Sequence, residues 1–328
     1  APPTPDLTEV QRGVINGFDA AGITHGAALF LAVLPGKEQE ARNSLATLLP
    51  TSEADTGPTD QIYRNFALTY SGMKRLKLPD SILRQMPAAF REGAEARAPQ
   101  LGDQRAFHPD RWKPLPRNWP ADTTLTAPIS TIDAVMQLRI ASDSSIDDIH
   151  NTDHPLHARI SDIARLPGLL LVSVQAMAPA NPAKPNENHL GMRDGISQPV
   201  LGKPAHTHWS DHVEPGELLL GYPNDANDPP LQDPRFRGGS FLAIRRMPVD
   251  RPRFEQMLAA QGVPATWHAP GARDLPAHRC VSVVNVQRTE ENADQPPLAW
   301  DVTLEEFGDR PVECLGVPLV DLPHERHP

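Results

Sequence analysis

The order of strand and helix patterns in the first 178 residues limits the fold more than any other feature of the sequence. An apolar run at residues 26–34, ending at Pro35-Gly36, predicts a buried strand. Apolar side chains spaced three and four apart over residues 37–49 predict a helix, and residues 63–70 predict a second strand. The chain therefore begins with a β-α-β unit.

A second β-α-β unit follows the first. Residues 133–141 alternate apolar and polar side chains, as in a half-buried strand. Residues 144–166 carry a helical pattern that Pro155 interrupts, and residues 169–174 predict another strand. Two such units predict an α+β domain of the ferredoxin-like kind, with helices on one face of an antiparallel sheet.

The composition changes after a Pro/Ala segment at residues 178–184, which predicts a domain boundary there. Between about residues 80 and 128 the first domain carries an insertion rich in Arg, Pro and Trp, with one helix predicted at 81–97. The second half offers fewer elements. We predict a helix at residues 251–260 and short strands at 218–222, 240–245 and 280–286.

The overall charge and the apolar runs exclude two classes of partner. The chain has 31 Lys and Arg against 41 Asp and Glu, a formal net charge of −10, and no basic arm to bind nucleic acid. Its longest apolar runs, near residues 27–34 and 166–174, are far shorter than the ~20 residues that span a bilayer. We expect a soluble protein. The first residues carry no signal-peptide pattern and suggest a processed start, so cytoplasmic and exported locations both stay open.

The two cysteines, Cys280 and Cys314, form no CxxC or CxxCH motif. A structural zinc site, thioredoxin chemistry and covalent haem attachment are therefore disfavoured. A single disulfide and two free thiols both remain open.

The segment from Asn188 to Val200 carries the clearest chemical signal. Asp194 stands between Arg193 and Gly195 in a Gly-x-x-Asp-Gly pattern. One interpretation is an ordinary Asx turn, because Asp-Gly is a common turn dipeptide. The other is a carboxylate at a place where glycines let the backbone approach a ligand closely.

Gly191-Met-Arg-Asp-Gly-Ile-Ser-Gln-Pro resembles the signature of the dye-decolorizing peroxidases, haem proteins built from two ferredoxin-like domains. Further stretches resemble the longer branches of that family in the same order along the chain, at residues 6–17, 66–76, 92–112, 216–223 and 239–246. The resemblance implies ferredoxin-like domains at 1–178 and 185–328. The closing strand and helix of the second domain are not recognisable after Trp300, so we expect that domain to be incomplete.

The resemblance also implies a site and a chemistry. Asp194 corresponds to the acid/base on the distal side of haem b, and Arg288 is a loose match to the distal arginine. His278, in an Ala-His pair before a predicted strand, corresponds to the axial iron ligand and is the implied metal-binding residue. Other residues implied to line the cofactor are Gly191, Arg193, Gly195, Ile196 and Ser197. The substrates would be hydrogen peroxide and a dye, phenol or similar bulky organic reductant, and homo-oligomers stay open.

Several alternatives stand beside this interpretation. His268 is a second candidate for the axial ligand. The unmatched C-terminal region leaves open a haem-free relative that serves as a binding or assembly module, and the histidines at 206–212 leave open a fold adapted to another small ligand or a metal. His206, His208 and His212 belong either to a metal site or to a solvated loop, and His150 and His154 to a polar helix face. Tryptophans such as Trp119 either pack or relay oxidising equivalents to the surface.

Overall fold

The computed structural model forms two compact units. The first, called the sheet unit, comprises residues 1–91, 113–185 and 197–245, and the second unit comprises residues 92–112, 186–196 and 246–328. The residues that the structure describes are 4–15, 17–18, 22–55, 57–103, 107–121, 124–141, 148–179, 199–201, 212–231, 233–245, 251–260, 280–284 and 301–305. The domain boundary at residues 178–185 stays a prediction.

The helices and strands are given in chain order. They are β1 His25–Val33, α1 Glu38–Leu45, β2 Tyr63–Leu68, α2 Tyr70–Arg75, α3 Asp80–Leu83, α4 Ala88–Ala96, β3 Leu115–Pro116, β4 Thr126–Ala127, β5 Ala134–Ile140, α5 His157–Ala164, β6 Leu169–Met177, β7 Val200–Leu201, β8 His212–Val213, α6 Arg251–Ala260, β9 Cys280–Val284 and β10 Asp301–Glu305.

A four-stranded antiparallel sheet in the order β2-β5-β1-β6 forms the centre of the sheet unit. Strand β1 pairs with β5 on one side and with β6 on the other, so that Leu29 lies opposite both Met136 and Val174. Strand β2 pairs with the far side of β5. A strand of the second β-α-β unit, β5, thus lies between the two strands of the first unit, and β1 of the first unit lies between the two strands of the second. This is the ferredoxin-like arrangement. The predicted α+β class is confirmed.

The main core lies on one face of this sheet, where alternate residues of the two central strands are buried. Leu29, Leu31, Met136 and Leu138 have no exposed surface. The second helix of the motif, α5, adds its own buried side chains to the same cluster. Each fully buried side chain of this size contributes about 1.5–3 kcal/mol. This face therefore holds most of the hydrophobic stabilisation of the sheet unit.

The opposite face of the sheet carries a smaller cluster. Ala32, Val135 and Val172 are buried there, and Leu115 of β3 and Ala127 of β4 pack against them. Part of the predicted insertion thus covers the sheet face that the helices leave open.

Two helical predictions were too long. Within the described part of residues 144–166, the helix begins only at His157, after Pro155. The side chains of Asp148, Asn151 and His154 each accept a hydrogen bond from the amide two residues later. These local bonds compete with helical bonds, so the segment forms turns and the predicted polar helix face of His150 and His154 is wrong.

The predicted helix at residues 81–97 is divided into α3 and α4. Pro87 lies in the break between the two helices, and Gly93 has φ 79° inside α4. A proline that would lie inside a helix removes a backbone hydrogen bond, which accounts for the division.

Two strand predictions in the second half of the chain were wrong. Residues 218–222 follow a 3-10 turn, Pro215–Glu217, and form no strand. Leu219 and Tyr222 of this apolar run are instead buried with Val10 in a separate cluster. Residues 240–245 also form no strand, and Phe241 there is 48% exposed. Short apolar runs do not distinguish strands from buried turns.

The described elements of the second unit include α6 and an antiparallel pair of β9 and β10. The predicted helix at residues 251–260 is confirmed, and so is most of the strand predicted at 280–286. None of the described helices has the length and apolar character needed to cross a membrane.

Candidate functional site

The predicted site residues all lie outside the described residues. They are Gly191, Arg193, Asp194, Gly195, Ile196, Ser197, His278 and Arg288. In sequence, the Gly-x-x-Asp-Gly segment lies between β6 and β7, the two strands that flank it in the described chain. His278 stands two residues before β9 begins. The strand expected directly after the Ala-His pair is therefore present.

Two stretches that follow this segment in the second half of the chain are hydrogen-bonded to each other. The Leu220 amide donates to the Gly239 carbonyl at 2.8 Å, and the Gly238 amide donates to the Leu220 carbonyl at 3.0 Å. The Ser240 hydroxyl donates to the Leu218 carbonyl at 2.7 Å. These contacts bring together the family-like stretches at 216–223 and 239–246, although neither forms a regular strand.

The N-terminal segment joins the same framework. The Asp6 amide donates to the Tyr222 hydroxyl at 3.2 Å. The Arg237 guanidinium lies 5.0 Å from the centre of the Tyr222 ring, and its Nε is 3.4 Å from a carboxylate oxygen of Glu9. Val10 is 1% exposed beside Leu219. Three separate family-like stretches thus form one packed structure.

Two glycines of this framework are required by close approaches. A Cβ on Gly216 would lie 2.4 Å from the Pro223 carbonyl, and one on Gly238 would lie 2.9 Å from the Glu9 carbonyl oxygen. Gly238 also has φ 74°, which side-chain-bearing residues rarely adopt. The glycines of these stretches therefore have a structural role that is independent of any ligand.

A shallow pocket of about 590 Å³ opens beside Gln85, Pro230, Leu231, Asp233 and Pro234. Side-chain and backbone hydrogen bonds from Arg235 lower the pKa of Asp233 to about 2. This carboxylate stays ionised and is held by Arg235 Nε at 2.8 Å, so it is poorly suited to proton transfer.

A cluster of rings surrounds Trp119. The His150 ring stacks on the indole with centroids 5.4 Å apart, and the His157 ring lies 5.0 Å away at an angle of 47°. Within the described parts of the chain, no group of three His, Cys, Asp or Glu side chains could hold a metal ion. This cluster is therefore not a metal centre.

The comparisons with known proteins agree on one fold. No family model matches the chain, and no curated protein sequence matches it. An ancestral D-type dye-decolorizing peroxidase matches with a TM-score of 0.57 and 22% identity, over 79% of this chain and 53% of that protein. A fungal DyP-type peroxidase from Auricularia auricula-judae matches with a TM-score of 0.57 and 18% identity, over 79% and 52%.

The chain has the fold of the dye-decolorizing peroxidases. A further member of that group, solved in complex with 2,6-dimethoxyphenol, has a TM-score of 0.50 and 22% identity over 69% of this chain. The chain spans about half the length of these peroxidases, from 47% to 53%. The resemblance found in the sequence is confirmed for the fold.

In this peroxidase fold, the histidines that the sequence offered as alternatives have different outcomes. His212 lies in β8, half-buried. His206, His208 and His268 lie outside the described residues. His150 and His157 contact Trp119, and sequence reasoning missed both contacts because they join residues about 30 to 40 positions apart.

The pocket beside Asp233 was also missed. Its local signal is the Asp-Pro-Arg sequence, in which Asp233 caps a 3-10 turn that begins at Pro234. An acidic cap followed by proline is a common start of a helical turn. The pattern therefore predicts the cap but gives no indication of a pocket.

Proposed function

We propose that this chain is a haem b peroxidase that reduces hydrogen peroxide and oxidises bulky organic compounds such as dyes or phenols. The observation that carries the proposal is the agreement between the peroxidase fold and the co-linear motifs, above all the Gly-x-x-Asp-Gly segment that holds Asp194. Either alone would be weaker, since a fold supports many functions and the motif is short.

The donor set of the chain suits this cofactor. His278 offers an imidazole, a common axial ligand of haem iron, and it stands two residues before the regular strand β9. Asp194 and Arg288 add a carboxylate and a guanidinium, the two groups that a peroxide-binding face needs. When bound, haem b would supply the iron at which peroxide binds and at which oxidising equivalents are held.

In the proposed reaction, Asp194 moves a proton between the two oxygens of the peroxide. Its carboxylate accepts the proton from one oxygen and returns it to the other, so that the O–O bond breaks with loss of water. Arg288 donates hydrogen bonds toward the negative charge that develops during this step. His278 holds the cofactor and orients it.

The organic reductant supplies the electrons and protons that the reduction of hydrogen peroxide needs. Reduction of hydrogen peroxide to two waters takes two electrons and two protons, and each phenol molecule gives one of each. We propose phenols as one substrate class because a structurally similar peroxidase has been solved with 2,6-dimethoxyphenol. The resemblance extends the class to dyes.

A hemin titration of the whole chain tests this proposal. We expect a Soret band that saturates at one hemin per chain and that His278→Ala abolishes. His268→Ala is the matched control and should leave the band unchanged. Asp194→Asn should keep the band and lower the rate of peroxide-dependent dye bleaching by about 10²–10⁴-fold. A spectrum without a Soret band would refute the proposal.

A further inference from the structure

Three histidines, two in the segment before α5 and one at the first residue of α5, use the ring atom Nδ1 in two different ways. His154 Nδ1 accepts a hydrogen bond from the Leu156 amide at 3.1 Å, so this nitrogen carries no proton. Nδ1 of His150 lies 3.2 Å from the Pro120 carbonyl, and Nδ1 of His157 lies 3.3 Å from the Ile149 carbonyl. Because a carbonyl only accepts, these two nitrogens donate, and their bonds persist when the rings are charged.

The bond at His154 supports a buried part of the core. Leu156, whose amide it holds, has no exposed surface, and Ile149 at the other end of the segment is 5% exposed. Both belong to the main cluster, against which Trp119 also packs. The turn around His154 therefore fixes two core side chains and the start of α5.

The surroundings of His154 disfavour its charged form. The groups that face it are Asp148 from the same segment, His157 from the start of α5 and His25 from β1. Burial lowers the pKa of His154, the two histidines lower it further, and only Asp148 acts in the opposite direction. A histidine whose pKa is lower in the folded protein stabilises the fold above its ordinary value of 6.5 and loses that contribution as the pH falls.

We infer that residues 148–157 form an acid-sensitive latch, in which protonation of His154 removes the acceptor of the Leu156 amide and releases the segment from Trp119. The Leu156 amide is then left without its partner. The turns open and the first turn of α5 frays, while the sheet keeps its pairing.

Hydrogen exchange of the wild-type chain tests the latch directly. Between about pH 7.5 and pH 5, we expect amides of residues 149–157 to lose protection by ~10-fold or more, after correction for intrinsic exchange. Amides of β1 and β5 should keep their protection. The latch is refuted if the segment stays protected at about pH 5, or if the whole sheet unit loses protection together.

Two asparagine substitutions isolate the titrating group. In His154→Asn, the side-chain oxygen takes the place of Nδ1 and accepts the Leu156 amide, but it cannot be protonated, so the loss of protection should disappear. His108→Asn is the matched control. His108 Nδ1 also accepts the amide two residues later, from Asp110 at 3.3 Å, but this side chain is 52% exposed. If acid opens the His154→Asn variant as it opens the wild type, another group is responsible and the inference is wrong.

Discussion

The two outer strands of the four-stranded sheet are each closed by one side-chain amide, but their surroundings differ. On β2, the Gln11 side chain accepts from the Phe66 amide at 2.7 Å and donates to the Phe66 carbonyl at 2.9 Å. On β6, Asn118 does the same for Val174, at 2.9 and 2.8 Å. Each amide thus replaces one residue of a missing neighbouring strand, which protects an otherwise open edge.

The β2 edge has further support along its length. Thr51 bonds both the amide and the carbonyl of Arg64, at 3.0 and 2.9 Å. The Asn65 side chain donates to the Arg12 carbonyl at 2.7 Å, and the buried Glu53 carboxylate accepts from the Gly13 amide at 2.6 Å. Among the described residues, the hydrogen bonds at the β6 edge centre on Asn118, whose side-chain oxygen also accepts from the Ser173 hydroxyl at 3.4 Å. We therefore infer that the closure of this edge depends mostly on Asn118.

The largest effect is therefore expected for Asn118→Ala. This change removes both partners of Val174, which is 3% exposed, and water cannot easily replace them. We expect the free energy of unfolding to fall by about 3 kcal/mol, the cost of two buried polar groups left unpaired. Urea unfolding followed by circular dichroism measures it.

Asn43→Ala is the control for this prediction. The Asn43 side chain accepts a hydrogen bond from Gln39 on the exposed surface of α1. Its loss should cost less than about 0.5 kcal/mol. Equal losses for the two variants would show that the amide at the β6 edge has no special role.

These edge contacts mark the limit of what the sequence predicts. The strands β1, β5 and β6 were predictable because their apolar pattern records burial on the sheet. Gln11 and Asn118 carry no such pattern, and each reaches a partner about 55 residues away. A single polar residue in a loop does not reveal which backbone group it will meet.

At the candidate site, too, local sequence patterns alone do not identify the role of single polar residues. Asp194 was identified through a family-like motif, whereas its local sequence is equally typical of a turn. His150 and His154 were predicted on a helix face, because spacing alone does not reveal that their side chains bond the backbone of a turn. The periodicity of apolar residues predicts which residues are buried, but it does not predict individual hydrogen bonds.

Gln11→Ala should have a smaller effect than the change at Asn118. It leaves the Phe66 backbone groups unpaired, but three other bonds at this edge remain. Asn65 still bonds the Arg12 carbonyl, Thr51 still bonds Arg64, and Glu53 still bonds the Gly13 amide. We expect a loss of about 1–2 kcal/mol in the same unfolding measurement.

A double variant sharpens the comparison of the two edges. The two side-chain amides lie beyond opposite edges of the four-stranded sheet, whose outer strands are themselves about 14 Å apart at the usual strand spacing. Their effects should then add to within about 0.5 kcal/mol. A larger loss in Gln11→Ala than in Asn118→Ala would contradict the proposed difference between the edges.

Among the changes at the sheet, the smallest effect is expected at the end of the two central strands, where the carboxylate of Asp133 has the role that side-chain amides have at the edges. Asp133 Oδ2 accepts from the Val33 amide at 2.7 Å, and Arg75 Nε lies 3.3 Å from the other oxygen. Burial raises the pKa of Asp133, while the Val33 bond and Arg75 act against that rise. Asp133→Asn keeps an acceptor for Val33, and water can solvate the guanidinium of Arg75 because that side chain is 41% exposed, so at neutral pH we expect a change below about 1 kcal/mol.

The pH dependence of this small difference distinguishes the carboxylate from the amides. An acid whose pKa is raised on folding contributes most stability below its unfolded value, here 3.8, and loses that contribution as the pH rises through the folded value. In urea unfolding, the free energy of unfolding of Asp133→Asn should therefore increase relative to that of the wild type as the pH rises.

Asp60 provides the opposite case. Burial would raise the pKa of Asp60, but hydrogen bonds from Arg64 and from the Ile62 amide outweigh this effect and lower the pKa. The free energy of unfolding of Asp60→Asn should then decrease relative to that of the wild type as the pH rises. If the two variants showed the same pH dependence, the opposite directions of the two pKa shifts would be contradicted.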